Sequence, residues 1–208
     1  MKSPKKPAQR PSPKSRHKPS NQVRIIGGLH KRRLLNFIDA DGLRPTPDRL
    51  RETIFNWLTG QLYHAKVLDT CAGSGALGFE AISRGAMMAT LIEPNTAQAH
   101  LLADNAKSLR IDEQMTVINH DALHALPTLT GVFDIVFIDP PYALNLWRPI
   151  LTTLLDNRLI TADSLIYLEA DKPLATVLGD DLLAAFEIVK DTKVGQAGAY
   201  LLKLAQSS

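Results

Sequence analysis

The stretch from Phe133 to Tyr142, Phe-Asp-Ile-Val-Phe-Ile-Asp-Pro-Pro-Tyr, restricts this chain more than any other. Ile135 to Ile138 is a continuous apolar run, as expected of a strand buried on both faces, and such strands belong to sheets covered by helices on each side. The run stops on Asp139. Pro140 and Pro141 can donate nothing to a ladder, so the chain must leave the sheet there with φ fixed twice in succession. The product is a stiff loop at the carboxyl end of a central strand, where open α/β sheets bind their ligands. The Asp139 carboxylate and the Pro140 carbonyl can each accept an amino hydrogen, and the Tyr142 ring offers a stacking face to a planar base. An ordinary strand end followed by a proline-rich turn is the alternative.

A second constraint lies upstream. Lys66-Val67-Leu68-Asp69 reads as a short buried strand, and Gly73, Gly75 and Gly78 then spell G-x-G-x-x-G ahead of a helix through Phe79, Ala81 and Ile82. That context is the one a nucleotide-binding fingerprint requires. The small residues Gly73, Ser74 and Gly75 let a ligand approach the backbone closely. The loop has no lysine, so it is not a Walker P-loop. Asp69 would repel a phosphate-rich cofactor yet suits the ammonium of an amino acid. S-adenosylmethionine, with an amino acid end and no phosphate, fits better than a dinucleotide.

Further strands are expected at Ala89–Glu93, Met115–Asn119, Ser164–Glu169, Phe186–Lys193 and Ala199–Leu204. Helices are expected from Pro94 to Leu109, from Leu146 to Leu155 and from Pro173 to Leu183. Glu93, roughly 20 residues beyond the glycines, can bind both ribose hydroxyls. Asp121 can bind the adenine amino group with the Ala122 backbone close by. Asp69, Glu93, Asp121 and Asp139 each end an expected strand, which implies one shared crevice. The turn Gly195-Gln196-Ala197-Gly198 is too short for a parallel crossover, so the last strand must run antiparallel. The expected fold is α/β: a Rossmann-like, doubly wound sheet of about seven strands in three α/β/α layers, with an antiparallel last strand.

Charge divides the chain unevenly. Residues 1–38 hold 11 of the 24 Lys+Arg and no acid, so the remaining 13 basic residues face 21 acidic ones. A front-loaded basic block points to phosphate binding, or else to a solvating tail. Residues 1–22, rich in Lys, Arg, Pro and Ser, read as a disordered basic arm. Residues 23–208 read as one domain, opening with a small hairpin and a helix (23–60). In the hairpin, Val23, Ile25 and Ile26 precede a Gly27-Gly28 turn, and Arg24, Lys31, Arg32 and Arg33 are displayed around it as candidates for phosphate binding. Thr46 is a credible N-cap with Pro47 at the first helical position. Arg44, Arg49 and Arg51, read as surface charges around that helix, can bind phosphate or lie over the cofactor. One cysteine, Cys71, excludes an internal disulfide, and six histidines read without ligand spacing suggest no metal site. No apolar run approaches the roughly 18 to 20 residues of a membrane span, and no signal-peptide core follows the basic start.

Taken together, these residues resemble the class I S-adenosylmethionine-dependent methyltransferases. More closely, Arg24-Ile25-Ile26-Gly27-Gly28, Arg44-Pro45-Thr46 with Asp48-Arg49 and Arg51-Glu52, Ala72-Gly73-Ser74-Gly75-Ala76-Leu77-Gly78 and Asp139-Pro140-Pro141-Tyr142 resemble the bacterial RsmD family. That family methylates N2 of one guanine in 16S ribosomal RNA. The resemblance implies S-adenosylmethionine as cofactor, with Thr46 beside it, and the small ribosomal subunit as partner. It also implies an enzyme with Asp139, Pro140, Pro141 and Tyr142 at the chemistry; the chain itself, without a span or a signal core, reads as cytoplasmic, and a monomer is expected. Thr70-Cys71 stands where a Leu-Phe pair is expected, and the basic arm exceeds the family core. An adenine-N6 methyltransferase, or an inactive RNA-binding assembly factor on the same fold, is the rival reading.

Overall fold

The computed structural model describes residues 20–38, 46–195 and 197–205. Side chains that alternate along each central strand enter two different cores, one on each face of a sheet. Val67, Ile135, Phe137, Leu165 and Tyr167 join one core, while Leu68, Val136, Ile138, Ile166 and Leu168 join the other. Strands with both faces covered need helices on both sides, and the order of elements supplies them.

A hairpin of β1 (Ser20–Arg24) and β2 (Leu34–Ile38) leads to α1 (Asp48–Trp57). The alternating body follows with β3 (Lys66–Asp69), α2 (Ala76–Ser83), β4 (Met88–Ile92), α3 (Thr96–Leu109), β5 (Met115–Ile118) and α4 (Ala122–Ala125). Next come β6 (Ile135–Ile138), α5 (Trp147–Asp156), β7 (Leu165–Ala170), α6 (Leu174–Leu178), α7 (Asp180–Leu183), β8 (Phe186–Val194) and β9 (Ala197–Leu204). The large sheet has the order β5-β4-β3-β6-β7-β9-β8. Strands β3 to β7 pair in parallel, and β9 is antiparallel to both β7 and β8, as the short closing turn requires. After β3 the chain steps outward to β4 and β5, then returns to the other side of β3 as β6. The crevice at that reversal lies between the ends of β3 and β6, with Asp69 opposite Phe137 in register.

The hairpin is fastened to the body by side chains that complete its backbone bonding. Asn105 of α3 accepts from Asn36 N–H at 3.1 Å and donates to Asn36 C=O at 2.8 Å, and Gln98 accepts from Ile38 N–H at 2.8 Å. Two buried polar residues on the inner face of α3 thereby satisfy a strand edge that would otherwise be bare. The hairpin loop is held at α2: Glu80 accepts from Ile26 N–H, Ser83 C=O accepts from Leu29 N–H, and the Ser83 hydroxyl meets both His30 N–H and Gly27 C=O. Gly28 sits at φ +72° where a Cβ would come within 1.8 Å of Ser83 O, so no other residue fits.

Two sequence expectations shift. The first strand starts at Ser20, so residues 20–22 of the expected arm are paired with β2, while the rest of that arm lies outside the described residues. The helix expected from Pro173 to Leu183 is two short helices. Gly179, at φ +78°, breaks it, and Arg148 ties the break by bonding Leu178 C=O and the Asp181 carboxylate. Among the described residues no helix is long and apolar enough to cross a membrane.

Gly28→Ala is expected to lower the thermal midpoint by more than about 8 °C, because a backbone clash adds to left-handed strain that alone costs a chain of this size roughly 2 to 8 °C. Gly131→Ala shares a positive φ but meets nothing within 4 Å, so it should cost no more than about 1–2 kcal/mol. Equal losses at the two positions in thermal melts would contradict the account of the hairpin loop.

Candidate functional site

The last residue of β3 and the residue after β6 bring Asp69 and Asp139 to the same crevice. Thr70 N–H and the Thr70 hydroxyl both donate to Phe137 C=O, at 3.1 and 2.9 Å. A threonine at this place therefore locks the start of the glycine loop to the end of β6. Cys71, half-buried, has its thiol pushed up to about 12, chiefly by burial, and is no nucleophile at neutral pH.

The glycine loop turns as its sequence requires. Gly73 and Gly75 take positive φ, and a Cβ on Gly75 would meet Leu102 and Phe79. On Gly78 it would meet Leu91 at 2.7 Å, so the third glycine serves close helix–strand packing. Ser74 is buried beside them. Glu93 is buried just past β4, accepting from Gly73 N–H at 2.9 Å and Asn95 N–H at 2.8 Å. Each carboxylate oxygen keeps lone-pair capacity for one more donor. Gln98 donates to Gly73 C=O at 2.7 Å while holding Ile38, so one side chain couples hairpin and glycine loop. Sequence reading missed Gln98; a polar residue on the buried face of an amphipathic helix was its signal.

Asp69 is buried, and the nearby backbone N–H groups of Gly78 and Cys71 favour its charged form. Burial nevertheless raises it to about 7, with the charge of Glu93 adding to the shift. Burial and then the charges of Glu169 and Asp69 hold the Asp139 carboxyl well above its usual range, against a hydrogen bond from Thr46. Burial likewise raises Glu93. A crevice that crowds carboxylates attracts a cation and repels phosphate.

Around Asp139 the loop is as stiff as its prolines suggest. All described peptide bonds are trans, Pro140 is buried, and Leu144 N–H bonds Pro141 C=O to close a turn over Tyr142–Leu144. Among the described residues no donor reaches the Pro140 carbonyl, which stays available to a ligand. The Tyr142 ring is half-buried, 6.0 Å from the Trp147 ring, and its hydroxyl donates to Glu169 at 2.9 Å. Glu169, near the end of β7, is a fifth strand-end acid, missed because only four were counted.

Other expectations need correction. Thr46 does not cap α1: Pro47 holds that position, and the Thr46 hydroxyl donates to Asp139 at 3.3 Å. It touches the carboxylate of the proline loop and, among described contacts, nothing in the glycine loop. Arg51 is buried, not on the surface. Its guanidinium donates to Thr46 C=O, Arg24 C=O and Asp48, and lies 3.9 Å from the buried Glu80. It braces the site from behind and cannot meet RNA. Arg24 is partly exposed and paired with Asp48, while Lys31, Arg32, Arg33 and Arg49 are exposed. Arg44 lies outside the described residues.

Asp121 caps α4 and is half-exposed, with the buried Ala122 following it. Its carboxylate lies 2.8 Å from His124 Nδ1 and 3.1 Å from His120 Nδ1, and the bond from His124 chiefly holds it down at about 2. The three donors lie within 4.8 Å of one another. His120 and His124 are four residues apart, a ligand spacing overlooked in the sequence. The three groups are exposed and already hydrogen-bonded among themselves.

Arg51→Met should lower stability by at least about 3 kcal/mol in denaturant unfolding, because it leaves the buried Glu80 carboxylate underpaired and strips donors from two carbonyls. Arg32→Ala should stay within about 0.5 kcal/mol of the parent. Similar small effects for both would contradict the bracing role of Arg51.

Comparison with known proteins places this geometry among relatives. A family described as conserved hypothetical protein 95 matches residues 23–203. Ribosomal RNA small subunit methyltransferase D of Haemophilus influenzae is 43% identical over 160 residues, covering 74% of this chain and 83% of the relative. The Escherichia coli K12 protein of the same name is 43% identical over 158 residues, covering 76% of this chain and 79% of its own length. The solved structure of Escherichia coli yhhF superposes with a TM-score of 0.78 at 36% identity, over 88% of this chain and 98% of that one.

Proposed function

Because the chain belongs to the RsmD family of methyltransferases, we propose that it transfers a methyl group from S-adenosylmethionine to the exocyclic N2 of one guanine in 16S ribosomal RNA of the small subunit. The observation that carries the reading is the pairing of two loops at one crevice: a glycine loop lined by acids, and the Asp139-Pro140-Pro141-Tyr142 loop with a free carbonyl and a carboxylate.

The residues fit the cofactor. Asp69 is suited to its ammonium, the Gly73-Ser74-Gly75 backbone to its amino acid end, Glu93 to the ribose hydroxyls, and Asp121 with the Ala122 N–H to the adenine. Asp121 would first have to give up part of its bonding to His120 and His124. When bound, S-adenosylmethionine supplies a methyl group already activated by positive sulfur. What remains for the protein is alignment and charge. The guanine leaves its stack and lies against Tyr142, and Asp139 and the Pro140 carbonyl accept its amino hydrogens. Asp139 stabilises the positive charge that develops on nitrogen, and its raised proton affinity suits it to take the proton released afterwards.

The exposed Lys31, Arg32, Arg33 and Arg49, with Arg24, would meet phosphates, and the basic residues ahead of the hairpin would add affinity that weakens with salt. Their removal should weaken binding without changing which base is modified. The setting we propose is a monomer acting in the cytoplasm on a ribosomal substrate.

Incubation of small subunits and of protein-free 16S RNA with labelled cofactor, followed by nucleoside mass spectrometry, should yield N2-methylguanine at one site. N6-methyladenine would replace the guanine assignment. RNA binding without calorimetric binding of S-adenosylmethionine would favour an assembly factor instead. Asp139→Ala should abolish transfer while leaving cofactor affinity within a few fold; loss of both together would move Asp139 into the cofactor site.

Asp69 gives the cofactor site a pH signature. Its folded-state value of about 7 lies above the ordinary 3.8. The ligand-free protein therefore loses stability from this group as pH rises from about 4 to about 7, and no more beyond. Binding of a cationic ammonium has the opposite slope, since it needs the ionised carboxylate. Calorimetry should show affinity rising with pH up to about 7, by at most about tenfold per unit, and Asp69→Asn should bind weakly with that slope removed. An unchanged slope in Asp69→Asn would contradict this assignment.

A further inference from the structure

Glu169 lies outside both loops assigned above, yet three hydrogen bonds at the site converge on it, two at its carboxylate and one at its backbone carbonyl. It is 8% exposed, near the carboxyl end of β7, the strand next to β6. The Tyr142 hydroxyl donates to Oε1 at 2.9 Å and the Tyr167 hydroxyl to Oε2 at 3.0 Å. The indole N–H of Trp147 donates to its backbone carbonyl at 2.7 Å. Trp147 is itself buried and lies against the Tyr142 ring, the two planes 33° apart.

The consequence falls on Tyr142. Its backbone has left the sheet for a turn closed by Leu144 N–H to Pro141 C=O and Asn145 N–H to Tyr142 C=O, Pro141 before it is exposed, and the ring is held at the hydroxyl by Glu169 and along one side by Trp147. An aromatic platform helps align a flipped base only when its plane is fixed before the base arrives. A buried carboxylate is a poor choice for stability alone, since an apolar group of the same shape usually serves as well or better. Two phenols aimed at one carboxylate, with one phenol belonging to the proline loop, are better explained by orientation.

We propose that Glu169 is a positioning residue for methyl transfer, fixing the plane of the Tyr142 ring through the Tyr142–Glu169–Tyr167 hydrogen bonds while Trp147 anchors the strand end that carries it. This rests on the reading of the Asp139–Tyr142 loop as the methyl-transfer site. The bond, and not the negative charge, is the essential feature. A glutamine can keep it, because its carbonyl accepts from Tyr142 and its amide donates to the Tyr167 oxygen.

Steady-state methyl transfer to small subunits or 16S RNA tests this with Glu169→Leu, Glu169→Gln, Tyr142→Phe and the Glu169→Leu/Tyr142→Phe double variant. Glu169→Leu and Tyr142→Phe should each lower kcat by about 10- to 100-fold, with KM for the cofactor within about twofold. The double variant should be no worse than the more impaired single, because the Tyr142–Glu169 bond is already lost in each. Glu169→Gln should recover kcat to within about fivefold of the parent, as expected where a hydrogen bond and not a charge is what matters. A parental kcat in Glu169→Leu, losses that multiply in the double variant, or a Glu169→Gln as impaired as Glu169→Leu would each overturn the proposal. Should Glu169→Leu fail to fold, Tyr142→Phe cuts the same bond without disturbing β7, and a parental kcat there overturns it equally. A parent protein that methylates neither substrate would sink the functional reading itself, a result distinct from an active parent with an indifferent Glu169.

Discussion

Thr70 gives both its N–H and its hydroxyl to the Phe137 carbonyl, and this doubled hydrogen bond fixes the spacing between two loops that the chain separates by some 65 residues. Both loops begin where their strands end, and those strands are neighbours because the chain reverses direction across β3. With β3 and β6 in fixed register, the Asp69 carboxylate is close enough to add to the raised proton affinity of Asp139, behind burial and the charge of Glu169. The chemistry proposed for the site needs that closeness: a positively charged donor on one side and an amino group on the other.

A second layer of contacts holds this arrangement from behind. Arg51 reaches from α1 to the carbonyls of Thr46 and Arg24, and the Thr46 hydroxyl continues to Asp139. Gln98 joins β2 to the glycine loop, and Glu80 joins the hairpin loop to α2 and to Arg84. The hairpin is therefore part of the site's support as well as the element that carries Lys31, Arg32 and Arg33 to the surface. The RNA contact proposed for the hairpin and the geometry at Asp139 would share a short chain of hydrogen bonds.

What the sequence revealed follows from which signals are local. Strand ends were legible because apolar runs stop abruptly on Asp69, Glu93 and Asp139, and the glycine loop because only glycine tolerates its turns and its approach to Leu91. The antiparallel β9 followed from loop length alone. The failures involve partners far away in sequence. Thr46 looks like a cap until Asp139, 93 residues on, claims its hydroxyl. Arg51 looks like a surface charge until Glu80 and two carbonyls surround it. Glu169 is an acid in an apolar strand, and only the fold discloses the two phenols that satisfy it. Gly179 could have been read as a helix break, since its cost in a helix interior is local.

The claim at the centre of this account is that the glycine loop and the Asp139–Tyr142 loop serve one reaction from two sides of one crevice. A crystal structure of the protein with S-adenosylhomocysteine tests it most directly. The account predicts sulfur over the Gly73–Gly75 turn, facing Asp139 and Tyr142 with room for a methyl group and a base between them. Sulfur on the opposite side of the sheet from Tyr142, or a ligand that avoids the glycine turn, would contradict it.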